Sequence, residues 1–347
     1  MPTKTIPVDQ AVGMVLPHDI SEIRQATGTD QSFKGPAFKK GHIIRTEDIE
    51  HLRRLGKEHI YILTLTEDEI HENEAARLMA DALAGTGVVC SGRPAEGKIS
   101  LVAEYDGLLK VNSEALYRFN LLGEVMCATL HDNTPVSKGE QVAATRLIPL
   151  ITDRQLVLSA VAVAREAGAV LEVKQMKQAR AGLVITGNEI YYGRIKDSFE
   201  QVLREKLARL GSRVVRVAFA PDDIGQIAAE ISACLAEGAD LIVTSGGMSV
   251  DPDDVTRAGI IQAGATDICY GTPVLPGAMF LTARIGDVPV LGLPACGMFH
   301  KITVFDLILP RVLCGETITR EDLARLGHGG LCRNCKSCQY PVCCFGK

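Results

Sequence analysis

Hydrophobic and polar positions alternate in short extended or turn-like pieces over the first 60 or so residues, and one helical pattern follows. From Thr46 to Leu55 the apolar residues Ile49, Leu52 and Leu55 recur at three-residue steps, which predicts a helix that Gly56 ends. Ile60-Tyr61-Ile62-Leu63 reads as a strand, and Glu69 to Leu83 as a second helix with many exposed carboxylates. From Val88 to about Val173 the pattern is short β-type runs separated by turns. The polar, basic stretch Lys174 to Arg180 marks a boundary, because a regular alternation begins after it. Leu183-Val184-Ile185-Thr186 predicts a buried strand, and Ser198 with Gln201 resembles a capping box opening a helix that Gly211 stops. Val214 to Ala218 is the next strand. Asp223 to Glu237 is a helix with Ile224, Ile227, Ala228, Ile231 and Leu235 on one face, and Leu241-Ile242-Val243-Thr244 is again a continuous apolar strand. Such an order predicts an α/β fold, a parallel sheet covered on both faces. Val288 to Leu291 adds a short strand, and a helix within Phe299 to Leu313 is expected to end or kink at Pro310.

At 347 residues the chain is too long for one small domain. Hydrophobic residues are 46% and charged residues 23%, so sizeable cores can be buried and general disorder is excluded. The net charge of −5 and the lack of a long basic block argue against a nucleic-acid partner. No run of about 18 apolar residues and no apolar core after Met1-Pro2-Thr3-Lys4-Thr5 occur, which predicts a cytoplasmic protein without membrane contact. Five of the eleven cysteines crowd into the last 16 residues, a clustering that points to a metal centre in a reducing compartment.

Ligands of doubly wound sheets collect beyond the carboxyl ends of the strands. Three of these edges are rich in small and polar residues: Thr186-Gly187-Asn188-Glu189 with Gly193 and Asp197, then Ser245-Gly246-Gly247-Met248-Ser249, then Gly292-Leu293-Pro294. Glycine and hydroxyl residues at such turns leave backbone N–H groups free to hold a phosphate. Asp251-Pro252-Asp253-Asp254-Val255-Thr256 reads as a helix start, and capping alone can account for its aspartates. A second reading brings them to the same edge as Glu189 and Asp197, where carboxylates beside a phosphate imply a bridging cation such as Mg²⁺.

These residues carry a resemblance. Ala181 to Gly315, through Thr186-Gly187-Asn188-Glu189, Asp240 to Gly247 and Asp254, resembles the molybdopterin-binding domain shared by molybdopterin adenylyltransferases, molybdopterin molybdenumtransferases and competence-damage-inducible proteins. The resemblance implies a three-layer α/β/α sandwich with a mostly parallel sheet, preceded by smaller mixed α+β and β-rich modules. The expected organisation is a small mixed module over 1–65, a β-rich module over 66–178, the molybdopterin-binding domain over 179–320 and a cysteine-rich tail over 328–347. It also implies a pterin phosphate ligand, in its molybdenum or tungsten form, with molybdate, Mg²⁺, a biosynthetic partner protein or molybdoenzyme, and a homo-oligomer. Glu189 and Asp254 would be catalytic. Thr186, Gly187, Asp197, Ser245, Gly246, Gly247, Ser249, Asp251, Asp253, Thr256, Pro276, Gly277 and Pro294 would bind the cofactor. The chain departs from molybdenumtransferases at Leu275-Pro276-Gly277-Ala278-Met279, where they carry Lys-Pro-Gly-Lys-Pro, and at Leu293-Pro294-Ala295-Cys296-Gly297, where they carry Leu-Pro-Gly-Asn-Pro. Arg194, Lys196, Arg257 and Arg284 are candidates to replace the lost cations, against a plain role as solvated surface.

Three functions are therefore expected of the sequence: a molybdenumtransferase-like protein inserting metal with Mg²⁺-dependent loss of AMP; a non-catalytic carrier, chaperone or sensor; or a nucleotide pyrophosphate hydrolase. In the tail, Cys332, Cys335, Cys338 and Cys343, with Cys344 adjacent, have a spacing that suits Zn²⁺ or a [4Fe–4S] cluster, with His328 as an alternative ligand. Without metal this small polar tail is expected to be disordered. Lys34 to His42 reads as an exposed turn, His131 to Thr134 as a turn with local side-chain bonds, and Cys296 as a structural thiol.

Overall fold

Six strands of the C-terminal half form one sheet: β1 (Arg180–Thr186), β2 (Arg213–Ala220), β3 (Leu241–Ser245), β4 (Thr266–Tyr270), β5 (Leu281–Ile285) and β6 (Val288–Leu293), in the order β2-β1-β3-β6-β5-β4. The first four of that order run parallel, and β5 is antiparallel to both its neighbours. This computed structural model describes residues 3–24, 33–63 and 66–347; Met1-Pro2 and the expected module boundary at residue 65 lie outside them.

Alternate residues of the apolar strands serve opposite faces. Leu183, Ile185, Val243 and Leu291 pack with Leu203 and Leu207 of α1 (Phe199–Arg209) and with Phe305 and Ile308 of α4 (Val304–Leu313). Val184, Ile242 and Val290 pack on the other face with Ile227 and Ile231 of α2 (Ile224–Ala236) and Ile260 of α3 (Thr256–Gln262). The result is the expected three-layer α/β/α sandwich, whose central strands read as unbroken apolar runs because both faces are covered.

Between α1 and α4, Lys206 Nζ donates to both oxygens of Asp306 and to Lys301 O, each at 2.6 Å. Asp306 also closes a capping box with Thr303. Of the two outcomes expected at Pro310, an end or a kink, the end does not occur: α4 runs on through Leu313 with Pro310 buried inside it.

The chain divides into two compact units, and the second, which holds the sandwich, comprises residues 103–111, 130–140 and 172–347. A small sheet of Gly107–Val111, Thr134–Val136 and Leu171–Lys174 lies wholly in the stretch that the sequence assigned to the module before, and all of it but Leu171 falls in this second unit.

The first unit contains a two-stranded sheet of Thr3–Pro7 and His59–Leu63, the helix Asp48–Arg54 and a core of Val8, Leu16, Ile44 and Leu52. Lys34 to Phe38, expected as a turn, lies within the strand Phe33–Phe38, which pairs with Ile20–Arg24. Two more differences follow from side chains that compete for the backbone. Glu69–His71 forms a strand against Ile151–Asp153, and His71 then accepts from Asn73 N–H, so the helix starts at Glu72. Arg154–Glu166 is helical within the stretch expected to be β-type, with Asp153 accepting from Gln155 N–H and Val157, Ala160, Val161 and Ala164 buried at helical spacing. Ser113–Asn120, capped by Asn112, is a further helix there.

Candidate functional site

Register brings the strand ends together. Thr186 is level with Ala220, and Ile185, Ser245 and Leu293 form one row, so the segments leaving β1, β2, β3 and β6 share a margin. Just beneath it, Thr186 Oγ1 donates to Ser245 O at 2.9 Å and lies 2.7 Å from Thr256 Oγ1. A hydroxyl has one proton, so Thr256 is the donor of that second bond. Gly246 and Gly247 turn above the pair with φ of +86° and +54°. A Cβ on Gly246 would strike Thr186 O, and one on Gly247 would strike Thr256 Oγ1. Only glycine permits that approach. Thr186, Ser245 and Thr256 are buried, so they support the turn from below, and the glycine backbone is what a ligand can reach. Ser245 Oγ is sealed there with no hydrogen-bond partner among the described residues.

The aspartates after β3 do not start a helix. Asp251 N–H donates to Asp254 Oδ2 at 3.0 Å and Asp254 N–H to Asp251 O at 2.9 Å, a closed turn, and α3 begins only at Thr256. The helix-start reading is thereby corrected, and Asp251 and Asp253 are left exposed. Glu189 folds its carboxylate back over Gly187, whose φ is +135°.

A further carboxylate, not anticipated from the sequence, joins them. Asn188 N–H donates to Asp222 Oδ2 at 2.9 Å, and Asp222 N–H donates to Asn188 Oδ1 at 3.2 Å. Burial pushes the Asp222 carboxyl up, against that backbone bond, and the negative charges of Glu189, Asp253 and Asp254 push it further. Asp222 follows β2, an edge whose position after a parallel strand was the available signal. Asp197 makes local bonds: its two oxygens accept from Phe199 N–H and Glu200 N–H, both at 2.9 Å. It caps α1 in the place expected of Ser198, whose side chain makes no cap bond.

Beside the acidic rim lies a groove of about 570 Å³ that gathers four of the expected residues, Ser249, Pro276, Gly277 and Pro294, with Cys296 and His300. No Lys or Arg lines it among the described residues. None of the candidate replacement cations lines it, and three of the four are engaged with other groups. Arg194 lies over Tyr192 and Arg257 over Tyr270, with 5.5 Å and 4.9 Å to the ring centres, and Arg284 reaches Asp287. Burial pushes the Cys296 thiol up, which suits an unreactive wall residue.

The tail packs against the sandwich. Phe345 is 2% exposed within the sandwich core, and Cys332, Cys335, Cys338, Cys343 and Cys344 line one cavity of about 280 Å³ with His300. His328, the expected alternative ligand, is exposed and does not line it. Among the described residues no three His, Cys, Asp or Glu side chains stand ready to hold a metal ion, at the acidic rim or in the tail. No helix among them is long and apolar enough to cross a membrane.

Against known proteins, 34% identity over 110 residues links the chain to a CinA-like protein of Mycobacterium sp. (strain MCS), covering 32% of this chain and 24% of that one. A CinA-like protein of Mycobacterium leprae is 40% identical over 78 residues, 22% of this chain and 18% of its own. The chain thus spans about a quarter or less of these curated relatives. Among solved structures, the protein CinA with unknown function from Thermoplasma acidophilum superposes with a TM-score of 0.35 at 20% identity, over 39% of this chain and 99% of that one. The molybdopterin biosynthesis MoeA protein from Pyrococcus horikosii gives 0.33 at 17%, over 71% and 80%. Residues 5–64 match a domain of unknown function. Residues 182–313, which hold the sandwich and its margin, match the family described as "Probable molybdopterin binding domain".

Proposed function

We propose that this chain binds molybdopterin or adenylated molybdopterin at the carboxyl margin of the sheet and takes part in molybdenum cofactor biosynthesis as a molybdenumtransferase-like protein. One observation carries the reading: the Gly246-Gly247 turn, the acidic rim and the groove of Ser249, Pro276, Gly277 and Pro294 lie on one margin, inside the segment that matches the probable molybdopterin binding domain. In this reading the turn offers backbone N–H groups to the phosphate and the groove takes the pterin. Glu189 and Asp254, with Asp253 and Asp222 behind them, supply hard oxygen donors. Mg²⁺ is held by one or two carboxylates together with substrate phosphate oxygens, so a site short of three protein ligands fits that ion. When bound, it would offset the charge on the leaving phosphate. Molybdate, a homo-oligomeric state and a biosynthetic partner or molybdoenzyme belong to the same proposal.

Purified full-length chain incubated with adenylated molybdopterin, Mg²⁺ and molybdate tests it. Saturable binding with AMP release, binding retained but release lost in Asp254→Asn, is the expected result. No binding by the parent chain would overturn the proposal. A second reading, a carrier that binds but releases no AMP, draws on a specific feature: the groove wall is Leu275, Ala278 and Met279, and lacks a lysine or arginine to meet developing charge.

A further inference from the structure

The last eighteen residues are fastened at both ends. Leu275 N–H donates to Gly330 O and Cys332 N–H to Leu275 O, each at 2.8 Å, which lays Leu331 beside Leu275 as a parallel bridge. At the far end Gly346 N–H donates to Gly329 O at 3.0 Å, Phe345 is buried in the sandwich core, and Lys347 Nζ donates to Thr134 Oγ1 at 3.0 Å. The loop between these ties carries five cysteines and little apolar material of its own.

Core packing accounts in part for Cys332 and Cys343, which lie against the sandwich core, and not for the other three. Cys335, Cys338 and Cys344 are exposed and Cys332 and Cys343 half-buried, yet all five border the same cavity. The other six cysteines, from Cys90 to Cys314, do not border it. His300, 32 residues before Cys332, enters the cavity wall from the sandwich side. No sequence spacing relates it to the cysteines; the fold places it there.

We propose that this cavity is a thiolate site for one metal centre, either a zinc ion or an iron–sulfur cluster, drawn from Cys332, Cys335, Cys338, Cys343 and Cys344 with His300 within its wall. Thiolate donors select soft or borderline metals and reject Mg²⁺ and Ca²⁺, so the site is chemically separate from the acidic rim. The side chains do not stand at ligand positions in this structure, and loading asks them to turn inward. Because the backbone is already tied at Gly330–Cys332 and Gly346, that is a local rearrangement and not the folding of a disordered tail. Cys332, Asn334 and His300 also line the groove, which puts the centre in the wall that the groove and the tail share. The proposal stands independently of the pterin reading.

The test uses the full-length chain purified without oxygen, then reconstituted in separate samples with Zn²⁺ or with Fe²⁺ and sulfide. One zinc per chain, or iron with matching acid-labile sulfide and broad visible absorption, is expected, and each identifies one of the two centres. The content should fall at least five-fold in Cys335→Ser/Cys338→Ser and stay unchanged in Cys90→Ser/Cys314→Ser. Metal that survives the first variant, no metal after either reconstitution, or quantitative disulfides without metal would overturn the proposal. Should the first variant fail to fold, X-ray absorption on the parent chain decides: a sulfur-dominated shell supports the site, and a shell of oxygen alone removes it.

Discussion

Thr186 Oγ1 and Thr256 Oγ1 meet at 2.7 Å and couple the end of β1 to the first residue of α3, directly beneath the Gly246-Gly247 turn. Replacing Thr186 by Val keeps the shape but leaves Ser245 O and the Thr256 hydroxyl without their buried partner. A loss of about 1–3 kcal/mol is expected, read from urea unfolding. Gly247→Ala should cost about as much, since it adds a collision to a left-handed φ, and should also abolish pterin binding.

Asp222 makes a prediction about pH. A carboxyl whose folded value is raised stabilises the fold fully below its unfolded value of 3.8, and that contribution is lost as pH rises through the folded value. At neutral pH the ionised group is therefore a burden imposed by burial and by Glu189, Asp253 and Asp254. Asp222→Asn should be more stable than the parent at pH 7 and show no advantage at pH 3. Unfolding curves at the two pH values, with Mg²⁺ narrowing the difference at pH 7, are the check.

The acid limit of stability should be set partly by Asp322. Burial pushes this carboxyl up, but hydrogen bonds from Thr319 and Arg311 outweigh it and hold it down at about 2. Its stabilising contribution is present above pH 3.8 and disappears as pH falls toward 2. Arg311 also reaches Glu316 at 2.8 Å and is largely buried with it. Arg311→Met should cost about 3 kcal/mol at pH 7 and flatten the stability curve between pH 4 and 2.

The tail supplies a prediction about order. Phe345→Ala removes a fully buried ring and should destabilise the second unit by about 3–5 kcal/mol. In metal-free parent chain the segment should resist limited proteolysis, and in Phe345→Ala it should be cut. Rapid loss of the tail from the metal-free parent would show that the metal, and not Phe345, holds it.

Lys206 and Asp306 show where sequence reading stops. Each lies on a helix that the sequence predicts, yet the buried pair they form joins residues 100 apart, and no local pattern relates them. Pro310 carries a strong local signal that does not stop the helix, since α4, capped by Thr303 and Asp306 and largely buried, runs on through Leu313. Arg154–Glu166 was misread as short extended runs, for its valines favour strands when counted singly, while its helix is fixed by the Asp153 cap and by burial of one face.

By itself the sequence determined the alternation of apolar strands and helices, the glycines that turn at the strand ends and the crowding of thiols in the last residues, because each follows from neighbours along the chain. Tertiary structure alone decided which ends became neighbours. The tertiary fold put Asp222 within electrostatic reach of Glu189 and Asp254, set Thr256 under Gly247 and laid the cysteine segment along Leu275. Those outcomes depend on strand order and on long-range burial, energies that exist only once distant segments share one core.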